Sequence, residues 1–443
     1  MRNVIAWVAL FWVAAGLFAA SARADEPSSE DFQRCYESSL EFAIDVFQYV
    51  AANAKPDENV LISPLSLYRA LGAAALGADG KTKKELDAFL ARAAGADDWR
   101  AQSASTFDAL KSGDELTTVG GVWIQKGYDI QDSYLRRLRD FSDQEAFVVD
   151  LKESTINRWF EEKTGGRVQT PVKGIKSNAR VVVGDAITFL GKWENSFDPA
   201  GTKERPFKEL DGKLVSVPTM VQKGNFRYCR KGGVQYVELD YRGGRRTMAI
   251  VAPDENASYQ EIENVVNAKE AVDWNRSSQL TEIMLFMPKF AAKFDVDMTP
   301  VLKKMGVRDA FDKTRADFSA MAANGAKTGD DALYVDQVSQ SATIKVNEEG
   351  TEAAFATSLI LGAMGVPSYV NLAIDRPFIY FVRDNTTGQI LFIGRTVKPT
   401  FDSDDPDMKT PEVAPGSGFA APMGASRMGG MSGGMGARRG AGM

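Results

Sequence analysis

The side chains that carry out most hydrolytic and metal-assisted chemistry are scarce in this sequence. Histidine is absent, which excludes Ser-His-Asp and Cys-His nucleophile systems and every zinc site that uses histidine. The pattern Gly-x-Ser-x-Gly occurs at residues 430–434, but a nucleophile elbow also requires a histidine and a strand that leads into a helix. Phosphate-loop, Cys-x-x-Cys and Ser-x-x-Lys patterns are also missing. The sequence therefore predicts a protein that is not an enzyme and that has no catalytic residue, cofactor or metal.

The remaining charged motifs favour ordinary surface roles. Adjacent carboxylates occur at Glu161-Glu162 and Glu348-Glu349, and because neighbouring side chains point apart, each pair is predicted to lie on a solvated face. Two groups of arginines could bind a polyanion such as a glycosaminoglycan, although mixed surface charge is the main interpretation. These arginines are at positions 136, 137 and 139, and at 242, 245 and 246. The formal net charge of −6 argues against a nucleic-acid partner.

The two ends of the chain differ from the body. An apolar run at residues 4–20 is closed by Ala22-Arg23-Ala24, which predicts a signal peptide over residues 1–24. The alternative is a membrane anchor, but the run is about one turn short of the roughly 20 residues that span a bilayer. Residues 400–443 are acidic and then rich in Gly, Ala, Ser and Met, which is typical of a disordered tail. One domain is predicted over residues 25–399, in a protein that is secreted, or periplasmic or on the cell surface in a bacterium.

Export would place the two cysteines, Cys35 and Cys229, in an oxidising compartment. The sequence leaves open whether they form a disulfide or remain two buried thiols.

The body is predicted to contain mainly helices in its first half and mainly strands in its second half. Apolar residues at helical spacing predict a helix from Phe32 to Val50, and Ser63-Pro64 supplies an N-cap and a proline at the first position of the next helix. The run from Val181 to Leu190 is typical of a sheet interior, and Tyr241 to Gly244 predicts a hairpin turn. Further strands are predicted at 283–287, 333–338, 343–346, 378–382 and 390–393. This order predicts an α+β protein with mostly antiparallel pairing.

One long segment does not fit an ordinary domain. Residues 347–367 alternate between two faces, so they could form a strand, although their small residues and glycines make it a poor strand in isolation. One face carries Thr351, Ala353, Phe355 and Thr357, and the other begins with Glu352 and Ala354. Taken alone, the segment would be a flexible loop between two strands.

Other motifs give this segment a context. Residues 346–354 read Val-Asn-Glu-Glu-Gly-Thr-Glu-Ala-Ala, which resembles the hinge of the serpin family. Residues 59–66 resemble its shutter, 189–193 its breach strand with Trp193, 217–220 the strand after it, and 372–395 its C-terminal signature. The resemblance covers 25–399 and implies the serpin fold, with N-terminal helices, large mostly antiparallel sheets and an exposed reactive-centre loop.

The resemblance also implies a mechanism and its residues. Serpins are serine protease inhibitors that act as suicide substrates: the protease cleaves the loop, stays acylated to it, and is carried along as the loop inserts into a five-stranded sheet. The hinge would be Glu348, Gly350, Thr351, Glu352, Ala353, Ala354 and Phe355. Small residues there enter a sheet without overpacking, but Phe355 departs from the family pattern and would cost on the order of 1–3 kcal/mol unless a hollow receives it.

Family spacing implies cleavage between Met364 and Gly365, with Leu361, Ala363 and Val366 as alternative positions. Because these residues are apolar, the expected target is an elastase-like, chymotrypsin-like or subtilisin-like serine protease, or a cysteine protease. The alternative is a non-inhibitory serpin that acts as a carrier, chaperone or storage protein. In either case the resemblance implies a monomer with no nucleic-acid or membrane partner.

The missing histidine bears on the shutter as well. Serpins usually place a histidine there, bonded to an asparagine on the neighbouring strand, and the corresponding positions here are Gln340 and Asp185. With Ser63 and Pro64 they make up the shutter that the resemblance implies. An amide can donate to a carboxylate, so a bond between Gln340 and Asp185 is expected. Without an imidazole, loop insertion should show no step between about pH 5 and 8.

Overall fold

The computed structural model describes residues 29–96, 98–110, 115–323, 332–350, 369–400 and 408. The chain divides into two units, residues 1–410 and 411–443, and the description below is of the first. The helices are α1 (Ser29–Asn53), α2 (Pro64–Gly77), α3 (Gly80–Ala94), α4 (Trp99–Leu110), α5 (Asp132–Ser142), α6 (Glu153–Lys163), α7 (Tyr259–Val265), α8 (Ala268–Ser277) and α9 (Thr299–Lys304). Among the described residues, no helix is long and apolar enough to cross a membrane.

The strands form two sheets. They are β1 (Val60–Ile62), β2 (Leu116–Gln125), β3 (Glu145–Val149), β4 (Val181–Phe189), β5 (Lys203–Lys208), β6 (Leu214–Lys231), β7 (Val234–Asp240), β8 (Arg246–Pro253), β9 (Gln279–Pro288), β10 (Phe290–Asp297), β11 (Val335–Val346), β12 (Val370–Ala373), β13 (Phe378–Asp384) and β14 (Ile390–Thr396). A five-stranded sheet has the order β10-β11-β4-β2-β3, and a nine-stranded sheet has the order β1-β14-β13-β8-β7-β6-β9-β12, with β5 paired to β6. The predicted α+β class is confirmed.

Local sequence signals account for several element boundaries. The Ser63 side chain accepts a hydrogen bond from the Ser66 amide and Pro64 begins α2, as predicted. All nine residues of β4 are buried, which explains its continuous apolar run. Strands β7 and β8 pair in antiparallel fashion across the turn predicted at 241–244.

Strand β11 differs from the prediction because it is one strand rather than two. Its middle residues, Ser339, Gln340 and Ser341, are polar but almost fully buried. The polar stretch suggested a break, whereas tertiary packing keeps the strand continuous through it. The uninterrupted strand matters because it lies beside β4 in the centre of the five-stranded sheet.

The end of the body is also held in place. Thr400, which the sequence assigned to the tail, accepts a hydrogen bond from the Ala291 amide through its carbonyl at 2.7 Å. Ala291 lies on β10, an edge strand of the five-stranded sheet, so the ordered body extends to at least Thr400. Met408 is buried as well. The predicted signal peptide, and residues 401–443 of the predicted tail apart from Met408, lie outside the described residues.

Candidate functional site

The candidate site is centred on the parallel pairing of β4 and β11, called the seam below. Residues Val335 to Thr343 of β11 lie in register with Val181 to Thr188 of β4. Gln340 is directly opposite Asp185 in this register, as the predicted shutter requires. Both strands are central in the sheet, because β10 flanks β11 and β2 flanks β4.

The predicted bond between Gln340 and Asp185 is wrong. The Gln340 amide instead bonds the backbone of Ser63: its Nε2 donates to the Ser63 carbonyl at 2.6 Å, and its Oε1 accepts from the Ser63 amide at 3.0 Å. The buried backbone amide and carbonyl of Ser63, at the N-terminus of α2, satisfy both ends of the side-chain amide. Gln340 therefore joins β11 to α2 rather than to β4.

Asp185 has its own partners on the other side of the seam. Its Oδ2 accepts from Arg69 Nε at 3.0 Å and from Gln144 Nε2 at 2.9 Å, whereas its Oδ1 has no hydrogen-bond partner among the described residues. Burial raises the pKa of Asp185, and the Arg69 charge opposes that shift. A Cβ at Gly120 would lie 2.3 Å from Asp185 Oδ2, so the neighbouring strand leaves room for this cluster only because it carries glycine there.

The predicted breach residue holds the start of the predicted hinge. Trp193 Nε1 donates to the Asn347 carbonyl at 3.0 Å, and the Trp193 amide donates to the Glu349 carbonyl at 2.9 Å. The indole is stacked on Tyr241 with ring centroids 4.5 Å apart. Trp193 is thus fixed from one side by packing and uses its polar groups to bind the chain that leaves β11.

The chain reverses direction immediately after β11. Asn347 Oδ1 accepts from the amides of Glu349 and Gly350, and Asn347 and Gly350 form an antiparallel bridge. Gly350 has φ +125°, and a Cβ there would lie 2.3 Å from the Gly191 carbonyl oxygen. Only glycine fits this turn, for both conformational and steric reasons.

The two hinge glutamates are buried, which corrects the prediction of a solvated face. Glu348 forms an ion pair with Lys289 at 2.9 Å, with side chains 2 % and 0 % exposed, and it accepts from the Thr202 hydroxyl at 2.8 Å. Burial also raises the pKa of Glu349; the nearby Lys192 opposes this shift and Glu348 adds to it. Long-range partners therefore satisfy the Glu348 carboxylate, whereas Glu349 Oε2 is buried without a hydrogen-bond partner among the described residues.

Several predicted site residues lie outside the described residues. They are Thr351, Glu352, Ala353, Ala354 and Phe355 of the predicted hinge, and Met364 and Gly365 of the predicted reactive bond. Conversely, the sequence did not point to Arg69, Gln144 or Lys289, and it placed Asn347 in the hinge motif without a role of its own. Of these, Arg69 alone gave a signal, because it is the single charged residue in the apolar helix α2.

The remaining candidates are the two cysteines, the arginines near residue 245 and possible metal ligands. Cys35 and Cys229 are not joined in a disulfide; Cys35 is buried and Cys229 is half-buried, so the alternative of two buried thiols holds for Cys35 alone. Arg246 is buried against Glu115, and Arg245 is paired with Asp384, so of the second arginine group Arg242 is the exposed member. No group of potential metal ligands occurs among the described residues.

Comparisons with known proteins agree with this architecture. A family model described as serpin (serine protease inhibitor) matches residues 37–399. Human glia-derived nexin is 30 % identical over 374 residues, covering 80 % of this chain and 91 % of that protein. An uncharacterised serpin-like protein of Thermococcus kodakarensis is 32 % identical over 372 residues, covering 81 % and 84 %.

Solved structures give the same result. The native-state crystal structure of tengpin, a thermophilic serpin, superposes with a TM-score of 0.74 at 25 % identity and covers 82 % of this chain and 94 % of its own. Native protease nexin-1, crystallised with heparin, gives a TM-score of 0.73 at 28 % identity, covering 83 % and 100 %.

Proposed function

Because the chain belongs to the serpin family, we propose that it is a suicide-substrate inhibitor of serine proteases with apolar primary specificity. The protease serine attacks the Met364 carbonyl, the bond to Gly365 breaks, and the new amine leaves on Gly365. An ester then links the protease to Met364, and insertion of the loop into the seam traps this acyl-enzyme. The protease supplies all the catalytic groups, which is consistent with the absence of histidine here.

The observation that carries this proposal is the reversal after β11. Asn347 and Gly350 already pair in antiparallel fashion, which is the direction in which an inserted strand would run back along β11. Continuing the same register would place Thr351 opposite Val346 and Phe355 opposite Ala342. Val346 and Ala342 are fully buried, so these loop residues would enter the core face of the sheet.

This register bears on two unusual residues of the predicted site, Phe355 and Asp185. Ala342 is small, so a phenyl ring opposite it meets less side-chain volume than it would opposite a larger residue. One step further, Thr357 would lie opposite Gln340, whose register partner on β4 is Asp185. The Thr357 hydroxyl could then donate to Asp185 Oδ1, which has no hydrogen-bond partner in the described part of the chain.

The test is to mix the protein with elastase, chymotrypsin and subtilisin and to search for a covalent complex that survives boiling in detergent. Thr351→Arg should abolish the complex and leave only cleaved loop, because a charge would have to enter the core face. Glu352→Arg, on the opposite face, is the matched control and should retain the complex. Cleavage without any complex in the unmodified protein would refute inhibition.

A second candidate function is that of a non-inhibitory carrier, chaperone or storage serpin. The observation that favours it is Phe355, which departs from the small residues expected at that position. In that case the loop is cleaved without a gain in thermal stability. Phe355→Ala distinguishes the two functions: it should increase the yield of complex if the phenyl ring only slows insertion.

The remaining features of the proposal concern location and partners. We assign residues 1–24 to a signal peptide, residues 25–400 to the inhibitory domain, since Thr400 is bonded to β10, and the segment after Thr400 to a tail that is a tether and is not needed for inhibition. Secretion follows from this assignment, and mass spectrometry of secreted protein would test cleavage before Asp25. We propose that the secreted protein is a monomer. Arg136, Arg139 and Arg242 are exposed and are candidate contacts for a glycosaminoglycan, so weaker heparin retention after their replacement would support that partner.

A further inference from the structure

Helix α2 is joined to both sides of the seam. Its N-cap residue, Ser63, exchanges two hydrogen bonds with Gln340 of β11. Arg69 lies six residues further along, roughly 9 Å at the rise of an α-helix. It is bonded to Asp185 of β4. The helix therefore spans the boundary between the two strands that an inserted strand would have to separate.

The Arg69 side of this connection is a buried cluster. Arg69 Nε binds Asp185 at 3.0 Å, and Nη1 donates to the Thr118 hydroxyl of β2 at 2.8 Å. The Arg69 and Asp185 side chains are 5 % and 1 % exposed. Gln144, immediately before β3, donates to the same carboxylate oxygen. One guanidinium thus holds β2 and β4 against the helix, and the carboxylate extends the network to the edge of β3.

We propose that Arg69 is a positioning residue for loop insertion, which acts through Asp185 to keep the seam closed until the loop is cleaved. The proposal rests on the proposed function only in taking the cleaved loop as the strand that enters the seam. If β4 moves away from β11 while Ser63 holds Gln340, the tie between Arg69 and Asp185 must be strained. Separating this buried ion pair would leave both charges without a counter-charge and without water to solvate them. Opening the seam therefore costs free energy.

Hydrogen exchange of the intact protein tests this without any protease. In Arg69→Gln, amides of β4 and β11 at the seam should exchange about tenfold faster, which corresponds to the loss of one charge-assisted hydrogen bond. Amides between β13 and β14, in the other sheet, should keep the exchange rates of the unmodified protein. Arg158→Gln, an exposed arginine on α6, is the matched control and should change neither region.

Two further variants keep the test decisive if Arg69→Gln folds poorly. The neutral pair Arg69→Gln with Asp185→Asn leaves no buried charge and should show the same faster exchange at the seam. Arg69→Lys, which retains the charge but has a single nitrogen in place of the two that bind Asp185 and Thr118, should restore part of the protection. Unchanged exchange at the seam, or an equal increase between β13 and β14, would overturn the proposal.

The inhibition assay separates this inference from the proposed function. Conversion to an inactive form during incubation without protease should be faster in Arg69→Gln than in Arg158→Gln if the seam opens more readily. A protein that forms no complex with any protease, yet shows the exchange pattern above, would refute inhibition while retaining the role of Arg69.

Discussion

Breaking the ion pair between Glu348 and Lys289 should destabilise the hinge region. The two side chains are almost completely buried, and Glu348 also accepts from Thr202. Glu348 lies in the turn after β11, whereas Lys289 lies between β9 and β10. Replacing Glu348 by glutamine keeps the shape of the side chain but removes the Glu348 charge from the buried Lys289 ammonium.

The expected cost follows from this burial. Removing one partner of a buried pair typically destabilises by about 3–5 kcal/mol. A glutamine oxygen can still accept from Lys289 and Thr202, so the cost of Glu348→Gln should be smaller. We expect the free energy of unfolding to fall by about 1–3 kcal/mol, which is the range measured for weakening a hydrogen bond to a charged group. Glu161→Gln, on the exposed face of α6, should cost less than about 0.5 kcal/mol.

The assay is guanidinium unfolding followed by tryptophan fluorescence and circular dichroism, with the first transition compared among four proteins. They are the unmodified chain, Glu348→Gln, Lys289→Met and the double variant. If the two charges are coupled, the loss in unfolding free energy of the double variant should be smaller than the sum of the losses of the two single variants by about 1–3 kcal/mol. A coupling below about 0.5 kcal/mol would refute the reasoning that the pair stabilises the hinge.

Three further predictions concern the backbone, the pH dependence and the thiols. Gly350→Ala should destabilise the native protein by about 1–3 kcal/mol from the positive φ alone, with more added by the contact to the Gly191 carbonyl, and unchanged unfolding would contradict the described turn. Because burial raises the pKa of Asp185, the native state binds a proton more tightly than the unfolded chain. Native stability should therefore fall as pH rises from about 3.9 through the raised value. Asp185→Asn should remove that dependence; a slope that persists in it would assign the effect to another group. Both cysteines should titrate as thiols after unfolding without reductant, and burial, which raises the pKa of Cys229 to about 11, should make its reaction with a disulfide reagent slow in the native protein at pH 8. A single disulfide detected by mass would contradict the structure.

Features set by neighbouring residues could be predicted from the sequence. The N-cap at Ser63 with Pro64 after it depends on groups within one helical turn, and the buried strand β4 follows from its own apolar run. The hinge, shutter and breach were placed by family resemblance, and Trp193 does contact the start of the predicted hinge.

Features that depend on distant partners could not be predicted. Glu348 and Glu349 have the sequence pattern of a surface pair, and Glu348 is buried because Lys289, 59 residues earlier in the chain, neutralises it. The amide of Gln340 could satisfy a carboxylate or a backbone equally well. Packing decided between them by bringing the N-terminus of α2 beneath β11.

The absent histidine illustrates the same division. By itself the sequence determined that this protein has no imidazole for catalysis or for the shutter, because that conclusion requires only the residue types. It could not determine what replaces the imidazole. The tertiary structure decided that Asp185 is neutralised by Arg69, 116 residues earlier in the chain, because a buried carboxylate needs a counter-charge and only folding determines which charge lies within reach.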